Sequence, residues 1–118
     1  MEIVLTRDSV HMSDDTNAPH KKAIYIKDVS ISGLYKAIRK VNYLPTVQGN
    51  CSWGIIGYGP IGIIVQQWNE VRPLLSGDIL LESELERTNN RLHLCCFGNM
   101  DTKHIEEVLN NYSTVQDY

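Results

Sequence analysis

The stretch Ser52-Trp53-Gly54-Ile55-Ile56-Gly57-Tyr58-Gly59-Pro60-Ile61-Gly62-Ile63-Ile64-Val65-Gln66-Gln67-Trp68 admits two incompatible folds. Gly57, Gly59 and Gly62 spell G-x-G-x-x-G after a strand-like WGII, and Glu82 lies twenty residues beyond Gly62. Those are the letters of a dinucleotide-binding loop, with glycines for close phosphate approach and an acid for the ribose. Such a loop must open a helix. The residues after Gly62 are instead Ile63-Ile64-Val65, three β-branched side chains that suit a strand. Read as a hairpin, Ser52–Tyr58 and Ile61–Trp68 are strands joined by Gly59-Pro60. Glycine then supplies the positive φ of a II′ turn, and proline the negative φ of its second position. Too little chain remains after residue 57 for a doubly wound half-domain, so the hairpin is expected. A nucleotide-binding or enzymatic module using Gly57–Gly62 is the alternative.

Outward from the hairpin, Ile3–Leu5 and Ala23–Lys27 read as strands in a simple antiparallel meander. Residues 7–20 between them form a long loop. Ser30 or Ser32 caps a helix through Lys40, with Ile31, Leu34, Tyr35, Ile38 and Val41 on one stripe. Pro45 closes that element, Gln48-Gly49-Asn50 is a turn, and Pro73, Ser76 and Gly77 mark another loop. Asp78 caps a short acidic helix, ILLESELE. Arg91–Phe97 is the last strand, with Leu92, Leu94 and Cys96 on one face. Asn99 or Asp101 caps a terminal helix with Ile105, Val108, Leu109 and Tyr112 as its stripe. Ser113–Tyr118 reads as a frayed tail. The expected fold is a single α+β domain over residues 1–118, in the order ββαββ(α)βα. It has one antiparallel sheet of about five strands, two main helices and one short acidic helix, the helices on one face.

Size and charge narrow the function. The chain has 118 residues, 42% of them hydrophobic and 21% charged, with 11 basic against 14 acidic side chains. That suits one core and leaves no room for a cofactor domain beside a substrate domain. A net charge of −3 argues against nucleic-acid binding driven by a global positive field. The charge is uneven: residues 1–50 carry 7 basic and 5 acidic groups, residues 51–118 carry 4 and 9. The start MEIVLTRDS lacks the basic and long apolar regions of a signal peptide, and no run approaches the ~20 apolar residues of a membrane span. Three cysteines, Cys51, Cys95 and Cys96, without C-x-x-C spacing, read as reduced side chains of a cytosolic protein.

Candidate chemistry is sparse. The first loop holds Asp8, His11, Asp14, Asp15 and His20, which could offer oxygen and nitrogen to a metal. Calcium-loop and H-E-x-x-H spacings are absent, and one loop rarely fixes a metal without ligands from a second element. It reads as a solvated acidic loop. His93 and Cys95 share a strand face, two residues apart, which gives proximity without activation. His104 reads as a surface residue. Trp53, Trp68, Tyr58 and the Tyr43-Leu44-Pro45 turn read as core and cross-strand packing. Glu82 and Glu86, four apart, share one helix face.

Several stretches together, IVLTRDSVHMSDD at 3–15, APH at 18–20, YLP at 43–45 and QQW at 66–68, give the chain a further likeness. It resembles the small bacterial immunity proteins of contact-dependent growth-inhibition and polymorphic toxin systems. The resemblance implies a cytosolic, non-enzymatic protein that occludes the active site or a neighbouring surface of a toxin domain. Many such toxins are nucleases, and many such immunity proteins are more acidic than this chain. It implies no catalytic residues, cofactor or metal, and a protein partner rather than nucleic acid or membrane. The expected contact residues are Asp14 and Asp15 in the loop with Asp78, Glu82, Glu84 and Glu86 around the short helix. A self-associating accessory domain is a further alternative.

Overall fold

The computed structural model describes residues 1–8, 21–41, 43–44, 51–65, 70–75 and 81–111. The decisive stretch is a hairpin: β3 (Ser52–Ile56) and β4 (Pro60–Val65) pair antiparallel, with Trp53 opposite Ile64 and Ile55 opposite Gly62. Its turn differs from expectation. Gly57–Gly59 make the connection, closed by the Gly57 N–H donating to the Gly59 carbonyl at 2.9 Å, and Pro60 is the first residue of β4. Proline is tolerated at that position because a strand's first residue can forgo its ladder donor. A register shift after Ile55 leaves Ile61 as the extra residue of a bulge. The chain after the glycines is therefore strand, and the helix a dinucleotide loop must open is not there.

The other elements are β1 (Glu2–Arg7), β2 (Lys22–Tyr25), α1 (Ile31–Lys40), β5 (Glu70–Pro73), α2 (Leu81–Arg87), β6 (Arg91–Gly98) and α3 (Thr102–Asn110). They build a six-stranded mixed sheet ordered β2-β1-β6-β3-β4-β5. Three expectations are corrected. The sheet has six strands rather than about five, because β5 pairs with β4 although its four residues are all exposed. The sheet is mixed rather than antiparallel, because β1 and β6 run parallel, Leu5 beside Leu92 and Arg7 beside Leu94. The helices also occupy both faces. Leu34, Tyr35 and Ile38 of α1 and Leu81 and Leu85 of α2 join one buried cluster with Ile3, Leu5, Trp53, Ile55, Leu92 and Leu94. Ile105 and Leu109 of α3 join a second cluster with Ile56, Ile63, Val65 and Cys95. The cause lies in β3 and β4, where every residue but Pro60 is buried. A strand apolar on both faces must be covered on both. Each fully buried leucine or isoleucine contributes about 1.5–3 kcal/mol.

Helix α1 follows its sequence closely. Ser30 is the N-cap, accepting the Gly33 N–H at 3.0 Å, and Arg39 and Lys40 occupy the last turn against the negative end of the helix dipole. Val41 belongs to the cap and is 39% exposed, so the buried stripe ends at Ile38. Asp101 stands at the N-cap of α3, and Val108 is only half-buried. Asp78, Tyr112 and the tail after it lie outside the described residues. Two glycines admit close packing that a side chain would block. A Cβ on Gly54 would sit 2.7 Å from Phe97 and 3.0 Å from Leu109, and one on Gly62 would meet the Tyr35 hydroxyl. The hairpin glycines thus bring helices onto the sheet.

Candidate functional site

Of the six acidic residues expected to meet a partner, Asp14, Asp15 and Asp78 lie outside the described residues. Glu82 and Glu86 are exposed on α2, one turn apart. Glu84 is different: it is 6% exposed, and its carboxylate accepts the Gly59 N–H at 3.1 Å. It ties α2 to the β3–β4 turn. The spacing Leu81, Glu84, Leu85 is i, i+3, i+4, so Glu84 belongs to the inward stripe of the helix. That signal was available in the sequence.

A cavity of about 500 Å³ opens between this turn, the end of α2 and the β1–β6 pair. Lys21, Arg87 and Arg91 line it together with Thr6, Tyr58 and His93. Arg87 lies over the Tyr58 ring, 4.6 Å from its centroid, where cation and ring quadrupole attract. No carboxylate lines this cavity among the described residues, so in a chain of net charge −3 it is a locally positive patch. The α2–β6 corner is formed by Asn89 (φ 56°) and Asn90 (φ 60°), asparagine being among the residues that tolerate the left-handed region. The Asn90 N–H donates to the Leu85 carbonyl at 2.8 Å, ending α2 in the manner of a Schellman motif.

Polar side chains from β1 and β6 meet beside this cavity. Thr6 Oγ1 is 2.7 Å from His93 Nδ1, and Asp8 Oδ1 is 2.8 Å from His93 Nε2. A carboxylate only accepts, so in the neutral ring Nε2–H donates to Asp8 and the Thr6 hydroxyl donates to Nδ1. Asp8 is itself held twice, by the Cys96 N–H donating to Oδ2 at 2.9 Å and by its own N–H donating to the Leu94 carbonyl at 3.0 Å. Cys95 completes the group: one ligating atom each from Asp8, His93 and Cys95 lie within 4.8 Å of one another. Sequence reasoning placed His93 and Cys95 on one strand face, as found. It placed Asp8 in a solvated loop, whereas parallel pairing of β1 with β6 carries Asp8 to both. Thr6, Lys21, Arg87 and Arg91 carry no local motif, and only the topology gathers them.

A hydroxyl, an imidazole and a carboxylate in series form a proton relay in outline. The thiol beside it is not activated. Burial, then the charge of Asp8, pushes the Cys95 thiol up to about 12. Native Cys95 should therefore alkylate at pH 8 roughly 10³-fold more slowly than in the unfolded chain, since only the thiolate reacts. Peptide mass spectrometry after timed alkylation reads this directly, and equal native and unfolded rates would contradict it. Cys51 and Cys96 face each other on the opposite side, their sulfurs 2.7 Å apart, and burial and that contact push Cys51 up to about 12.

No described helix is long and apolar enough to cross a membrane. The chain matches no protein-family model, and comparison with curated proteins and with solved structures returned no match.

Proposed function

We infer that the chain is a non-enzymatic binding protein whose work is done by a surface, most specifically an immunity protein that neutralises a bacterial toxin domain. A cytosolic location goes with this reading. The observation that carries it is the construction of α2. Glu82 and Glu86 project from a helix fixed at its base by the Glu84–Gly59 hydrogen bond, so their charges are exposed on a rigid support. Charge on a rigid support steers a partner without ordering cost at the moment of contact. The same helix ends at Arg87, which shares the cavity rim with Arg91 and Lys21. The surface therefore changes sign along one helix, and a partner of complementary pattern docks in one orientation only.

The test is kinetic. Reversing both charges, Glu82→Lys with Glu86→Lys, should slow association with a basic toxin domain encoded beside this chain by about tenfold at low salt. It should also flatten the salt dependence of the association rate. Far-ultraviolet circular dichroism should be unchanged, since both side chains are exposed. An association rate and salt slope equal to wild type would remove α2 from the interface. A toxin domain that is not inhibited at all by the wild-type chain would end the immunity reading.

A further inference from the structure

We propose that Asp8, His93 and Cys95 form a binding site for a borderline divalent transition cation of the zinc type. Asp8 directly follows β1, and β6 supplies the other two donors from a second element. A carboxylate oxygen of Asp8, a ring nitrogen of His93 and the Cys95 sulfur converge within 4.8 Å of one another. Carboxylate, imidazole and thiolate in one set select zinc and its neighbours over magnesium or calcium, which prefer oxygen alone.

Each polar ligand already has the outer partner that metal sites use to aim their ligands. His93 Nδ1 faces Thr6 Oγ1 at 2.7 Å, and Asp8 Oδ2 accepts the Cys96 N–H. That leaves His93 Nε2 and Asp8 Oδ1, 2.8 Å apart, as the pair a cation would enter. The Thr6 hydroxyl can reverse its role. When Nε2 gives its lone pair to a cation, the ring proton moves to Nδ1 and donates to Thr6 Oγ1. Binding releases the Cys95 thiol proton to solvent, and no electrons are transferred. Asp8 and His93 side chains are 44% and 33% exposed, which leaves an entry path and room for water as a further ligand. The site lies on the sheet face opposite the Cys51–Cys96 sulfur contact.

The experiment uses the full chain, kept reduced, titrated with Co²⁺ as the visible probe. The expected result is saturation at one equivalent with a thiolate-to-cobalt charge-transfer band, which Zn²⁺ then displaces. Cys95→Ser should abolish the band, while Thr6→Val should weaken binding roughly 10–100-fold and keep it. A second measurement needs no variant. In wild type, saturating Zn²⁺ should shift the His93 Nε2 nitrogen resonance and leave a slowly exchanging Nδ1 proton. The proposal fails if no band develops, or if the band survives Cys95→Ser and is lost in Cys51→Ser. Ring nitrogens of His93 unmoved by Zn²⁺ would likewise overturn it.

Discussion

Replacing Trp53 by alanine is expected to cost about 3–5 kcal/mol, the range for emptying an aromatic site in a closed core. Trp53 is fully buried at the centre of the sheet, between Ile64 of β4 and Cys96 of β6. It belongs to the cluster that also receives Leu34 and Ile38 from α1 and Leu85 from α2. The void cannot close by local collapse, because sheet strands hold a fixed spacing and the helices are set by their own contacts. Native domains are stable by only about 5–15 kcal/mol, so this one change removes a large share. With a urea slope of about 2 kcal/mol per molar, the unfolding midpoint should fall by roughly 2 M. Circular dichroism is the right signal, since the mutation removes a fluorophore. A midpoint within about 0.5 M of wild type would mean that the Trp53 cluster does not hold α1 and α2 to the sheet.

Gly62→Ala is the second large effect, and here the sign must be decided between two terms. Alanine restricts the unfolded chain, which stabilises by about 0.4–1 kcal/mol when the native backbone suits it. Against that, the new Cβ would meet the Tyr35 hydroxyl and lie 3.1 Å from the Arg72 carbonyl oxygen. Tyr35 Oη donates to that same carbonyl at 3.2 Å, so a retreat of the hydroxyl would break its own hydrogen bond. Overpacking of this kind costs about 1–3 kcal/mol, and it wins. Removing the obstructing oxygen gives the check. In a Tyr35→Phe background the penalty of Gly62→Ala should shrink, with a coupling of about 0.5–3 kcal/mol. Additive penalties would show that the collision is with Arg72 rather than with Tyr35. Burial pushes the Tyr35 phenol up to about 12, so it stays protonated and able to donate below that pH.

How much of this was legible in the chain depends on the distance over which each signal acts. Helix α1 is legible because its cap, its stripe and its terminal cations lie within a dozen residues of one another. The β3–β4 hairpin is legible because β-branched runs flank a glycine turn, although the bulge at Ile61 moves the turn one step from where Gly59-Pro60 alone would put it. Strand β5 is not legible: Glu70–Pro73 is only four residues long, ends in proline and buries none of its side chains, and it exists because the edge of β4 offers hydrogen bonds. The placement of helices on both faces was partly legible, since Ile63-Ile64-Val65 reads as a strand apolar on both sides. The candidate site was the least legible. His93 and Cys95 face one way by alternation alone, but Asp8 reaches His93 across 85 positions and Thr6 across 87. Only the parallel pairing of β1 with β6 closes those gaps, and no local pattern announces a parallel neighbour.

That pairing also bears on how the chain is made. Strand β6 comes last among the described strands and sits in the middle of the sheet, with the β2–β1 hairpin on one side and the β3–β4–β5 meander on the other. The two halves of the sheet are not hydrogen-bonded to each other except through β6. At roughly 5–20 residues per second of synthesis, β1 waits several seconds for its parallel neighbour, with an edge open to wrong partners. Folding of this sheet is therefore closed from the C-terminal side, and a ribosome stalled before residue 91 would hold the two halves of the sheet without the strand that hydrogen-bonds them to each other.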